Sequence, residues 1–375
     1  MIYELNYNLI TIVDLISLIQ GLVLGFLLIF LSNKERPTLL LGVFILSFSI
    51  EVLDVLLGET GIIEQYPSLL FLPLNFYFLT IPLLYLYTKN LINKISIKES
   101  VIVLLPGIVE FLIVFILFLF PATEKLRLID TMFIRIITEI YDYISIVFSI
   151  FFAVLIIKLI KKHKINVGNY YSDLKWKNLN WINYITYYIL VQFTLIFIFS
   201  FFPKYDSTFS FICAVLNLVV IYWVGISGLY QIKVNGNSEG FDNEPYDDKG
   251  VVLQATNESM KNDEIYSNLL AFIEDMKPYK VHDLTLDTLS KQSGITKRVL
   301  SQIINKNAKT NFNMFINEFR VKEAKRLLSS EEYNQYSIQG IAFEAGFKSK
   351  ATFYAVFKKI VGTTPNAYKL HSKKL

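Results

Sequence analysis

The sequence predicts an all-α protein: a seven-helix transmembrane bundle followed by an all-helical domain with two helix-turn-helix motifs joined by a long helix. Three observations predict it. Seven apolar stretches, each near the length that crosses a bilayer, fill residues 1–230. None alternates with the period of two that a lipid-facing strand requires. The last third aligns with itself at an offset of 52 residues, each copy reading as a short helix, a turn with glycine and a second amphipathic helix.

Composition supports two modules. The chain has 375 residues, is 53% hydrophobic and carries a net charge of +4; its mean hydropathy is +0.44, too apolar for one ordinary soluble domain. The charge is unevenly spread: 15 basic and 15 acidic residues in 1–230, 3 and 7 in 231–263, 18 and 10 in 264–375. Only the C-terminal part is basic, which points it alone at a polyanion. Cys213 is the single cysteine, so there is no intrachain disulfide and no cysteine cluster for zinc. His163, His282 and His371 are scattered without ligand spacing. No cofactor and no metal are expected. With no phosphate-binding glycine loop, kinase motif or Ser/His/Asp set, enzymatic activity is not expected either.

The seven spans fall near residues 8–31, 38–57, 68–90, 101–121, 140–160, 181–202 and 208–230. Backbone groups in lipid must be paired internally, which makes each of them a helix. No Lys or Arg precedes the first run, which outlasts a signal-peptide core, so it reads as a retained span. The loops after spans one, three and five hold Lys34, Arg36, Lys89, Lys94, Lys98, Lys158, Lys161, Lys162, Lys164, Lys175 and Lys177; the alternate loops hold Lys125, Arg127, Arg135 and Lys204. The positive-inside rule then places the N-terminus outside and the C-terminal domain in the cytoplasm.

Five carboxylates lie within or at the edge of the spans: Asp14, Glu51, Asp54, Glu110 and Asp142. One reading is an outward-facing acidic pocket for a cation, a proton or an amine-bearing ligand. The other is that the outer four reach interfacial water, Glu110 alone lying near mid-membrane. Tyr85, Tyr87, Trp181, Tyr184, Tyr187 and Tyr188 read as interfacial anchors. Pro73, Pro82 and Pro106 read as kinks, and Cys213 as a packing residue.

Residues 231–263 are polar, acidic and without amphipathic period, and are expected to be a flexible linker with a reach near 30 Å.

In residues 264–375 the repeat pairs Leu286 with Ile338, Leu289 with Ile341, Gly294 with Gly346 and Ile295 with Phe347; after a one-residue insertion, Leu300 pairs with Phe353 and Ile304 with Phe357. Thr285, Thr296, Ser337 and Ser349 stand at N-cap positions, and Thr364 with Pro365 opens a last short helix. Between the copies, NFNMFINEFRVKEAKRLL sets Phe312, Phe315, Phe319, Ala324, Leu327 and Leu328 on one stripe of a long helix. Phe312 to Leu328 spans about 25 Å. With the width of the flanking helices, the two recognition helices come roughly 34 Å apart, one turn of DNA. Phe319, Phe347, Phe353 and Phe357 read as core.

INEFRVKEAKRLL, SIQGIAFEAGF and KSKATFYAVFKKIVGTTPNAYK make residues 266–370 resemble the DNA-binding domain of the AraC/XylS family of bacterial transcription regulators. Attachment to a seven-span module is similar, by architecture only, to membrane-bound regulators of that family. The resemblance implies base contacts from Arg298, Ser301 and Gln302 in the first recognition helix, and from Lys350, Ala351, Thr352 and Ala355 in the second. Arg298 suits guanine and Gln302 suits adenine, whereas Ala355 offers only a methyl contact where relatives carry long polar residues. Lys297, at the start of the first recognition helix, joins the candidates, and Lys348, Ser349, Lys358 and Lys359 are expected to grip phosphates. The implied function is a membrane-bound regulator that couples a signal sensed by the spans to promoter binding. Its partners would be double-stranded promoter DNA, the lipid bilayer, an unknown small ligand or ion, and a second copy in a homodimer. The competing class is a transporter or channel carrying a regulatory C-terminal domain.

Overall fold

A computed structural model describes residues 7–32, 35–93, 95–174, 179–199, 207–236 and 257–372. Among these the protein is all-α, with no strand and one isolated antiparallel bridge, Tyr171 to Thr285. The chain divides into two compact units: Met1–Lys161 with Leu179–Asn243, and Lys162–Asn178 with Glu244–Leu375.

The first unit holds helices α1 Leu9–Leu31, α2 Arg36–Glu59, the short α3 Ile62–Gln65, α4 Tyr77–Ile92, α5 Ile97–Phe118, α6 Ala122–Ile129, most of α7 Met132–Tyr170, α8 Asn180–Phe199 and α9 Ser207–Gly236. Five helical segments are long and apolar enough to cross a membrane: Leu9–Leu31, Arg36–Glu59, Ile97–Phe118, Ile136–Tyr170 and Phe209–Gln231. Their outer surfaces are apolar. On α5, Ile102, Leu105 and Ile113 are exposed, and only 11% of its most apolar window is buried. Water does not tolerate such a face over a whole helix, whereas hydrocarbon does. Helices α1, α2 and α9 form the tightest group. Gly25 and Gly42 let α1 and α2 touch backbone to backbone: a Cβ on Gly42 would lie 2.9 Å from the Gly25 carbonyl oxygen.

The third predicted span differs from expectation. Residues 68–76 are not α-helical; Pro67–Leu69 form a 3-10 turn and the helix begins only at Tyr77. Pro73 explains this, since it has no N–H to donate and disfavours helical backbone in the residue before it. The remaining α4 has 16 residues, about 24 Å of helix. Proline does lie inside α4 at Pro82 and inside α5 at Pro106. The expected anchors Tyr87 and Trp181 are instead buried and pack on each other, ring centroids 5.8 Å apart. Tyr188 donates to Asn217, while Tyr184 and Tyr187 are exposed.

The expected linker also differs at both ends: α9 runs on to Gly236, and a further helix, α10 Asn257–Met276, begins before residue 264. Residues 237–256, where flexibility is expected, lie outside the described residues. Leu269 and Ile273 of α10 are buried in the core of the second unit, so this helix belongs to the C-terminal fold.

The second unit continues with α11 Leu286–Ser293, α12 Lys297–Asn307, α13 Phe312–Ser329, α14 Ile338–Glu344, α15 Lys350–Val361 and α16 Pro365–Ser372. Every expected N-cap is made. Thr285, Thr296, Ser337, Ser349 and Thr364 accept from the backbone N–H three residues on. Two cores result. The first gathers Leu269, Ile273, Leu286, Leu289, Leu300, Ile304, Phe312 and Phe315; the second gathers Val321, Ala324, Leu328, Ile341, Phe347, Phe353 and Phe357. Helix α13 feeds both, its first half one and its second half the other. Phe347, Phe353 and Phe357 are fully buried and Phe319 packs against the first core.

Candidate nucleic-acid interface

Helices α12 and α15 occupy the second position of each motif. In α12, Leu300, Ile303 and Ile304 face inward and leave Lys297, Arg298 and Gln302 exposed. Ser301 differs from the expectation: it is only 4% exposed, whereas Arg298 and Gln302 are open. Its position at the border of the apolar arc, next to Leu300, explains the burial. In α15, Phe353 and Phe357 face inward and Lys350, Ala351, Ala355, Lys358 and Lys359 are exposed, with Thr352 half-buried. Two residues escaped the sequence reading. Asn305 and Lys306 are exposed at three and four positions beyond Gln302, and continuing the i, i+4 register from Arg298 finds them.

The basic residues are not electrostatically equal. Lys297 pairs with Asp287 at 3.1 Å, and Lys348 donates to both carboxylate oxygens of Asp283 at 2.9 and 2.8 Å. A phosphate must displace these carboxylates to engage them. Arg298, Lys358 and Lys359 have no ion pair among the described residues. Ser349 is occupied as a cap: its oxygen accepts from the Thr352 N–H at 3.1 Å and lies 2.9 Å from the Thr352 hydroxyl. Hydrogen bonds from Lys291 and Lys297 hold Asp287 below the usual carboxylate range, and the bond to Asp283 raises Lys348.

The two motifs meet at Arg320, in the middle of α13 and 1% exposed. Its guanidinium donates to the backbone oxygens of Tyr279 at 2.8 Å and Val281 at 2.8 Å, fixing the loop that leads into α11. Burial pushes Arg320 down to about 10, with the charges of Asp173 and Asp283 opposing the shift, so it stays cationic at neutral pH. The turn glycine of the second motif presses on the same loop. Gly346 has φ +94°, and a Cβ there would lie 2.2 Å from the Tyr279 carbonyl oxygen; no other residue fits. Gly294, with φ +71°, makes the corresponding turn in the first motif. Nearby, Glu323 accepts from Arg326 and pairs with Lys280, which hold its carboxyl down to about 2.

In the first unit the five expected carboxylates fall into two groups. Glu51, Asp54, Glu110 and Asp142 all stand within electrostatic reach of Tyr77, at the start of α4. Glu51 accepts from the Thr80 hydroxyl at 2.6 Å; Glu110 accepts from the Phe78 N–H at 3.2 Å and from the Tyr141 hydroxyl. Glu110, expected to stand apart, is therefore part of the group. Asp14 is not: its acidic neighbour is Glu59, and Cys213 lies within its field. Tyr77, Thr80, Tyr141 and Glu59 were not singled out in the sequence, because hydroxyls and span-end acids carry no periodic signal.

The family model described as a helix-turn-helix domain matches residues 289–371. An uncharacterized HTH-type transcriptional regulator of Staphylococcus aureus is 31% identical over 114 residues, which are 30% of this chain and 14% of that protein. The HTH-type transcriptional regulator GlxA of Rhizobium meliloti is 30% identical over 104 residues, 28% of this chain and 31% of its own. A solved structure of a protein of unknown function from Listeria innocua is 31% identical, covering 28% of this chain and 94% of its own, with a TM-score of 0.24. The chain spans under a third of the length of these two regulators. The C-terminal part thus carries an AraC-type helix-turn-helix domain.

Proposed function

We propose that this chain is a membrane-bound, sequence-specific DNA-binding transcription regulator whose helical bundle receives a signal and passes it to promoter binding. One observation carries the reading. Two capped helices, α12 and α15, each bury an apolar face in a core of their own and leave a polar, basic face free, and one continuous helix links the two cores. That is what reading two successive major grooves demands. Arg298 and Gln302 read bases in the first groove; Lys350 and Thr352 contact the second, where Ala351 and Ala355 give only shape and methyl contacts. Lys358 and Lys359 grip phosphate at once, Lys297 and Lys348 after leaving their carboxylates. The apolar outer faces of the five long helices support residence in the inner membrane, and the lysine-rich loops support a cytoplasmic C-terminal domain. The acidic group around Tyr77 is the place for a small cationic or amine-bearing signal.

The test is to map the genomic fragments bound by the full-length protein in intact cells, then to titrate full-length protein in lipid nanodiscs with one recovered duplex at several salt concentrations. The logarithm of affinity should fall linearly with the logarithm of salt. Affinity that ignores salt rules the reading out. The part-buried Glu51–Thr80 and Glu110–Tyr141 contacts also suit a transporter or channel. Solute uptake that survives deletion of residues 264–375 would favour that second reading.

A further inference from the structure

The compact unit that contains the helix-turn-helix domain is not made of C-terminal sequence alone. Lys162–Asn178, the stretch that follows the fifth predicted span, belongs to it. Its described part docks through both apolar and polar contacts. Tyr170 packs against the first core, and Gly168 sits so close to α13 that a Cβ there would lie 3.0 Å from the Asn311 side-chain nitrogen. Ser172 is fully buried. Its N–H and its hydroxyl both donate to the Leu284 carbonyl oxygen, at 3.2 and 2.7 Å, and Tyr171 bridges Thr285, the cap of α11. From α13, Asn313 donates to the Tyr171 and Ser172 carbonyl oxygens at 3.2 and 2.7 Å, and Arg320 donates to the Ser172 hydroxyl at 3.1 Å. Asp173 adds a negative charge within the field of Arg320 and Lys348.

We propose that residues 167–173 are a strap which seats in the groove between the cap of α11 and the middle of α13, and that seating it holds the two recognition helices at the spacing DNA requires. This rests on the DNA-binding reading above and names its regulation. The strap touches the loop before α11 and the connecting helix, the two parts whose relative angle sets where α12 stands with respect to α15. Its hydrogen bonds run to the Leu284 carbonyl oxygen, Asn313 and Arg320, on the loop before α11 and on α13. Ser172 has lost its water on both sides of the peptide and recovers hydrogen bonds only in this groove, which makes docking specific in register. The strap is also the direct continuation of α7, one of the helices apolar enough to cross a membrane. A rotation or translation of α7 therefore acts on the strap without passing through residues 237–256.

The experiment uses full-length protein in native membrane vesicles, with Tyr171→Cys and Thr285→Cys in a Cys213→Ala background. Residues facing each other across an antiparallel bridge have Cα atoms within disulfide range. Mild oxidation should give an intramolecular crosslink, seen as a mobility shift that reductant reverses. Oxidised protein should bind a duplex recovered from cells at least as tightly as reduced protein. Asn313→Ala, which removes two strap hydrogen bonds, should lower duplex affinity by roughly fivefold, and the crosslink should restore it. No crosslink, a crosslink that abolishes binding, or an Asn313→Ala loss that the crosslink leaves unrepaired overturns the strap while duplex binding by the reduced parent protein still stands. Absence of any duplex binding by the parent overturns both readings.

Discussion

Among single residues, the proposed function makes the exposed and unpaired cations decide affinity and the buried ones decide shape. Arg298→Ala should weaken binding by about 1–3 kcal/mol at duplexes with a guanine in the first groove and far less elsewhere. Lys359→Ala should weaken all duplexes alike and lower the salt slope by about one. Fluorescence anisotropy of full-length protein over a panel of single-base variants separates the two; equal losses on every sequence would remove Arg298 from the readers. Gly346→Ala meets both a left-handed backbone and the Tyr279 carbonyl, so it should destabilise the domain by about 2–4 kcal/mol in a denaturant titration. Glu323 predicts a pH dependence. Its carboxyl sits at about 2 in the folded protein against an ordinary 4.5, so its contribution is complete above pH 4.5 and disappears as pH falls toward 2. Glu323→Gln should flatten that part of the acid-unfolding curve, and an unchanged curve would show that the pairs with Lys280 and Arg326 carry no stability. The capping hydroxyls and core phenylalanines were legible in the sequence because local spacing determines them. The burial of Ser301 was not, since a residue at the border of an apolar arc is covered or left open by neighbours far away in the chain.

Helices were legible where one periodic signal ran uninterrupted and obscure where two signals competed. The pattern Phe312, Phe315, Phe319, Ala324, Leu327 named α13 correctly, and its ends lie within a residue or two of the expected stripe. Hydropathy alone carried the third span back to residue 68, yet Pro73 overrides it and the helix waits for Tyr77. Residues 257–263 passed for linker because acids and amides dilute the apolar positions at the start of α10, and only the packed fold shows that this helix carries Leu269 and Ile273 inside. The apolar sides of these helices make a prediction of their own. Ile108, exposed on α5, should tolerate Leu, but Ile108→Lys should disfavour insertion by about 2.5–3.5 kcal/mol in a translocon assay. A helix facing water would accept the lysine freely.

For the molecule as a whole, two compact units, one of long apolar helices and one with the helix-turn-helix motifs, follow from the split in composition, and that much was legible from hydropathy and charge. The grouping of Glu51, Asp54, Glu110 and Asp142 about Tyr77 was not, because three different helices supply those carboxylates and, beyond the i, i+3 pair Glu51 and Asp54 on α2, no sequence spacing relates them. Reporter fusions at residue 257 and beyond should score as cytoplasmic, and an exterior location would end the proposed function. Helix α13 has one more consequence. A rod whose two ends are each built into a separate hydrophobic nucleus leaves the domain without a seam, so neither half can be amputated and survive. Heat should melt both in one cooperative step, and a polar wedge such as Ala324→Asp should silence the distant reader as surely as the near one.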